Sequence, residues 1–127
     1  MLYTSEGNLR AEDVTLRRIA RLKVRAALDK LNTDTSQIVD ALIARIETNG
    51  NCKMNADELL DIVNNHPRLQ PERSTINRYT DAFPELKETT LEFHERTMLR
   101  ARRKLQVAIL PHEYARRFAH TKGLRHL

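Results

Sequence analysis

NADELLDIVNNHPRLQPERSTINRYTDAF, residues Asn55 to Phe83, spells two short helices joined by a turn that holds two prolines. Asn55 has the side chain to cap the first helix, and Glu58 three residues later completes a capping-box pattern. Leu59, Leu60 and Val63 then form an apolar stripe at helical spacing. His66-Pro67 and Pro71 interrupt that stripe, and the pattern predicts a second helix that restarts near Glu72 or Ser74. Ile76, Tyr79 and Phe83 fall at i, i+3 and i+7 and share its buried face.

The opposite face is polar. At ~100° per residue, Ser74 and Arg78 lie about 160 to 200° round from Ile76, with Arg73 and Asn77 on the flanks. Arg pairs with guanine, Asn with adenine, and Ser with either base or with phosphate. The expectation is a helix-turn-helix over residues 55–83 whose second helix enters a DNA groove with Arg73, Ser74, Thr75, Asn77 and Arg78.

Working outward, residues 1–10 read as a flexible start. A helix is expected from about Ala11 to Leu31, its stripe made by Leu16, Ile19, Ala20, Val24, Ala27 and Leu31. Arg17, Arg18, Arg21, Lys23 and Arg25 load the same segment, either as a solvated face or as a second phosphate-contacting surface. Asn32 to Ser36 reads as a linker rich in N-cap residues. A further helix on Ile38, Leu42 and Ile46 follows, ended by Asn49-Gly50. After Phe83, Pro84 opens a long helix of roughly Glu85 to Leu110. Its heptad-like positions Leu91, Met98 and Leu105 allow a homodimer seam or a face laid on the chain's own core. A short last helix is expected from Pro111, anchored by Tyr114 and Phe118 and stopped by Gly123. The architecture is thus all-α, with five to six helices: a helical domain over 11–84, then a long basic helix and C-terminal helix over 85–127.

Composition agrees. Of 127 residues 40% are apolar and 5% aromatic, with 3 Gly and 4 Pro, a helix-forming mixture with a small core. The single cysteine, Cys52, excludes an internal disulfide framework. No apolar run approaches a membrane span, and the polar first ten residues lack the apolar core of a secretion signal, so a cytoplasmic protein without a membrane partner is expected. The net charge of +5 conceals an asymmetry. Residues 1–95 hold 13 Lys and Arg against 16 Asp and Glu, whereas residues 96–127 hold 9 against the lone acid Glu113. A basic end of +8 on a body of −3 points to a polyanionic partner. Arg96, Arg100, Arg102, Arg103 and Lys104, with Arg116 and Arg117, are the candidate phosphate contacts.

The segment ARIETNGNCKMNADELLDIVNNHPRLQPERSTINRYTDAFPEL resembles the DNA-binding half of winged-helix regulators of the ferric-uptake-regulator type. MNADELL stands for their second helix, NHPRLQ for the turn and STINR for the recognition helix. STINRY is also similar to plasmid-encoded DNA-binding proteins in which such a domain feeds a long helix. The resemblance covers about a third of the chain. Thr80 stands where those families prefer an apolar residue, and no two-stranded wing follows Phe83. It implies a role in DNA recognition for Arg73, Ser74, Thr75, Asn77 and Arg78, and no metal-sensing function carries over, because no His/Cys/Glu cluster of the right kind follows. Glu47 to Glu58 is similar to a calcium-binding EF-hand loop. Glu47 replaces the first Asp, Cys52 replaces the glycine of the sharp turn, and few carboxylates remain. A helix end, a turn and a capping box account for the same residues.

No phosphate-cradling glycine loop, paired-cysteine motif or nucleophile elbow occurs, and His66, His94, His112, His120 and His126 are scattered. The expectation is a non-enzyme without cofactor, metal or small-molecule substrate. It would bind double-stranded DNA as a transcriptional or replication and maintenance regulator of a mobile element or phage. The alternative is a protein–protein interaction module, an adaptor or inhibitor, that docks its basic helix on an acidic surface. RNA binding ranks third, because aromatic stacking platforms are missing.

Overall fold

The computed structural model describes the backbone of residues 6–125 and the side chains of residues 14–117. Within them four α-helices and two 3-10 turns follow one another without a strand: α1 (Glu6–Asn49), α2 (Ala56–Asn64), a 3-10 turn (Pro67–Leu69), α3 (Gln70–Ala82), a second turn (Pro84–Leu86) and α4 (Lys87–Arg125). The all-α expectation holds. The number of helices does not.

The first correction is at Asn32 to Ser36, which is no linker: α1 runs through it without a break. The segment holds neither Gly nor Pro, and Asn32, Thr33 and Asp34 find partners that do not compete with the helix. Thr33 Oγ1 donates to the Asp29 carbonyl four residues back, a bond a helix tolerates. Asp34 is buried and ion-paired to Arg68 at 2.9 Å. Asn32 Oδ1 accepts from Thr97 and Arg100 of α4. The apolar stripe also carries across the segment, from Leu28 and Leu31 to Ile38, Val39 and Ile46, all buried.

The second correction is at Pro111, which lies inside α4 and starts no new helix; nor does Gly123 stop α4, which continues to Arg125. Proline removes the bond to the Val107 carbonyl. Val107 and Pro111 are both exposed, so water can take that carbonyl instead. The expected Tyr114–Phe118 anchor lies partly outside the described side chains. Pro84 does open the next element, though as a 3-10 turn that leads into α4. At the other end, Gln70 begins α3 with Pro71 at its first turn, two to four residues before the expected restart.

Other local expectations hold. Asn55 Oδ1 accepts the Glu58 backbone N–H at 2.8 Å, capping α2. Gly50, at φ +67°, closes α1 in the left-handed conformation that glycine adopts without strain.

The pairings give the direction of each leg. Arg17 meets Glu85 at 2.8 Å, Asn32 meets Thr97, and Asp40 meets Lys104 at 3.4 Å, so α1 and α4 run side by side in the same sense. Between them the chain descends. Asp57 of α2 pairs with Arg102, Arg68 with Asp34 and Glu72 with Lys30, and the turn after α3 reaches the level of Arg21 and Val24. The result is an up–down–up bundle whose descending leg is broken by the Pro67 turn into α2, packed largely on α4, and α3, packed largely on α1.

One core joins all three legs: Leu28, Leu31 and Val39 of α1, Leu59 and Val63 of α2, Leu69 and Ile76 of the turn and α3, and Leu105 and Ile109 of α4. At 1.5 Å per residue the two long helices span roughly 66 and 58 Å, far more than the descending leg covers. The start of α1 and the end of α4 therefore overhang at opposite ends, where Val14 and Leu16 at one end and Tyr114 at the other are exposed.

Candidate nucleic-acid interface

The five polar positions assigned to α3 separate into two groups. Ser74, Asn77 and Arg78 are exposed, as the helical-wheel reading requires. Arg73 is not available in the same way. Its guanidinium donates to the Asn64 carbonyl and, at 2.5 Å, to Asn64 Oδ1, so it ties the end of α2 to the start of α3. Burial lowers the pKa of Arg73 from the usual arginine value, consistent with that inward position. Thr75 is half-buried and its hydroxyl donates to the Pro71 carbonyl at 3.1 Å. Thr80, polar where an apolar residue is usual in the resembling families, is buried and satisfied by the Ile76 carbonyl at 2.9 Å.

The basic residues of α4 also divide. Arg96, Arg100 and Arg103 fall within an arc of about 60° at ~100° per residue, which makes one outward ridge. Arg96 and Arg103 are exposed, and Arg100 reaches sideways to Asn32 Oδ1 at 3.3 Å. Arg102 turns to α2 and pairs with Asp57 at 2.9 Å. The hydrogen bond and charge of each partner push the Arg102 pKa up and the Asp57 pKa down. Lys104 turns to α1 and Asp40. Arg116 and Arg117 are exposed on the overhang.

The residues of the expected dimer seam share one stripe of α4 but not one environment. Leu105 is fully buried in the chain's own core and Met98 is half-buried, while Leu91 is 60% exposed. The reason is the two neighbours: α1 and α2 together cover the face of α4 that a coiled-coil partner would need. Exposed apolar residues sit instead in line with the arginine ridge, at Val107, Leu110 and Tyr114.

Among the described residues no group of three or more His, Cys, Asp or Glu is placed to hold a metal ion. In the EF-hand-like loop, Asn55 is engaged as a helix cap, and Cys52 is buried with its thiol against the Met54 carbonyl. No described helix is long and apolar enough to cross a membrane. Comparison with family models, curated proteins and solved structures gives no match for the chain.

One group of polar residues was hidden by the linker reading. Asn32, Thr35 and Ser36 of α1 line a cleft of about 190 Å³ with Thr97, Arg100 and Lys104 of α4. Nothing in the sequence pairs these two sets, which lie more than sixty residues apart.

Proposed function

We propose that this protein is a small, non-enzymatic DNA-binding regulator, of the kind carried by mobile elements or phages. Ser74, Asn77 and Arg78 contact base edges, and Arg96, Arg103 and Arg116, with Arg117, contact phosphates. Arg73 and Thr75 hold α3 in place behind them, and Arg102 and Lys104 stiffen α4 through their ion pairs. The observation that carries the reading is the exposed arginine ridge of α4 on a chain whose last 32 residues have a net charge of +8. Such a ridge neutralises phosphates and releases the cations condensed on them, which is a sequence-independent source of affinity.

The deciding experiment is a fluorescence-anisotropy titration against random duplex DNA at several salt concentrations. Binding whose log K falls steeply with log salt is the expected result. No binding at low salt overturns the reading.

A second reading has its own observation. Val107 and Tyr114 are each 70% exposed, and Leu110 lies between them on the same side of α4. An apolar stripe beside arginines suits a protein partner with an acidic rim. A complex that survives nuclease and is lost in Val107→Ser/Leu110→Ser favours this reading over DNA.

A further inference from the structure

Threonine hydroxyls inside these helices have a regular habit. Thr33, Thr48, Thr75, Thr80, Thr90 and Thr97 each donate to the carbonyl four residues back. Thr35 does not. It is 2% exposed, and its Oγ1 has no hydrogen-bond partner. A buried hydroxyl left unpaired is uncommon in folded proteins and calls for a specific reason. Among the described residues the other buried atom in that condition, Glu72 Oε2, belongs to a carboxylate whose second oxygen is held by Lys30 at 2.9 Å.

Thr35 lines the α1–α4 cleft with its hydroxyl oxygen closed off from solvent, and the accessible polar groups around it there are donors. Asn32 Oδ1 accepts from Arg100 Nη2 at 3.3 Å, with the single Thr97 hydroxyl proton shared between it and the Phe93 carbonyl, so its amide is oriented with the NH2 left to donate. Arg100 retains further N–H groups beyond that bond. Lys104 supplies an ammonium, held loosely by Asp40 at 3.4 Å, and Ser36 a second hydroxyl. No carboxylate lines the cleft. Two cations with the Asn32 amide and the Ser36 hydroxyl in a cleft of about 190 Å³ match a tetrahedral oxyanion with some of its water.

We propose that this cleft is a binding site for a phosphate group, either free phosphate or a phosphate of a nucleic-acid backbone. The site stands apart from the α3 reading, since it needs neither Ser74 nor Arg78.

The test is an NMR titration of the full chain with sodium phosphate, against sodium chloride at matched ionic strength. Saturable shifts at Thr35, Ser36, Thr97 and the Arg100 side chain, absent with chloride, are expected. Arg100→Gln, an exposed position, should weaken phosphate about tenfold through loss of a charge-assisted donor. Ser36→Ala removes an exposed hydroxyl of the cleft and should weaken it several-fold while leaving the fold intact. Shifts that follow ionic strength alone, or both variants binding phosphate as the parent does, overturn the site. A second arm adds duplex DNA: if DNA displaces phosphate from these residues, the source is the nucleic-acid backbone. If phosphate saturates the cleft unchanged by DNA, the site takes the free anion. A chain that takes phosphate here and binds no duplex keeps the site and loses the DNA reading.

Discussion

Arg78 and Arg103 carry the same charge but should fail in different ways. Arg78 is an exposed side chain on α3, whereas Arg103 belongs to the ridge on α4. Arg78→Ala should cost roughly 1 to 3 kcal/mol on a specific site and relax the preference for it. Arg103→Ala should weaken specific and random duplexes alike and reduce the salt slope by about one. Equal losses on both DNAs for both variants would show that α3 reads no bases. His94 gives a second test at this scale. Burial, and then the positive charge of Arg73, lower its pKa, with Glu95 opposing. The folded state therefore resists the proton more than the unfolded chain does. Its contribution to stability is complete above the ordinary histidine value of about 6.5 and is lost as pH falls below it. The Tm of the parent should drop more between pH 7 and pH 5 than that of His94→Gln. Parallel curves would mean that the imidazole is solvated.

Among the elements, α1 makes the sharpest prediction. If Asn32 to Ser36 were a linker, a proline there would be harmless. Because α1 is continuous, Ser36→Pro removes one helical bond and clashes with the turn before it, a loss of about 3 kcal/mol or more. Urea denaturation measures it, and an unchanged midpoint would contradict the continuous helix. The elements also mark how far sequence reading reaches. The cap at Asn55, the close at Gly50 and the stripes of α2 and α3 were legible because each is a local bond or a helical period within a few residues. The continuity of α1 was not. Asn, Thr, Asp and Ser favour breaks when they bond to their own backbone, and here Asn32 and Asp34 bond to α4 and to Arg68, which no window of sequence contains.

For the whole molecule the question is which side of α4 faces inward. Leu105→Ala should cost about 2 to 5 kcal/mol by opening a cavity in the core shared by all three legs, whereas Leu110→Ala should stay within about 0.5 kcal/mol. Comparable losses would mean that α4 is rotated or paired differently. The sequence by itself determined the helical class, the existence of α2 and α3 and the basic end, since propensity, capping, period and charge are properties of short windows. Only the tertiary structure decided the rest. It placed Leu105 inside rather than on a seam, turned Arg73, Arg102 and Lys104 toward partners in the chain, and brought Thr35 beside Arg100. Each of those outcomes depends on which helix lies opposite. That is set by the burial of one shared core over separations of tens of residues, and no local pattern encodes it.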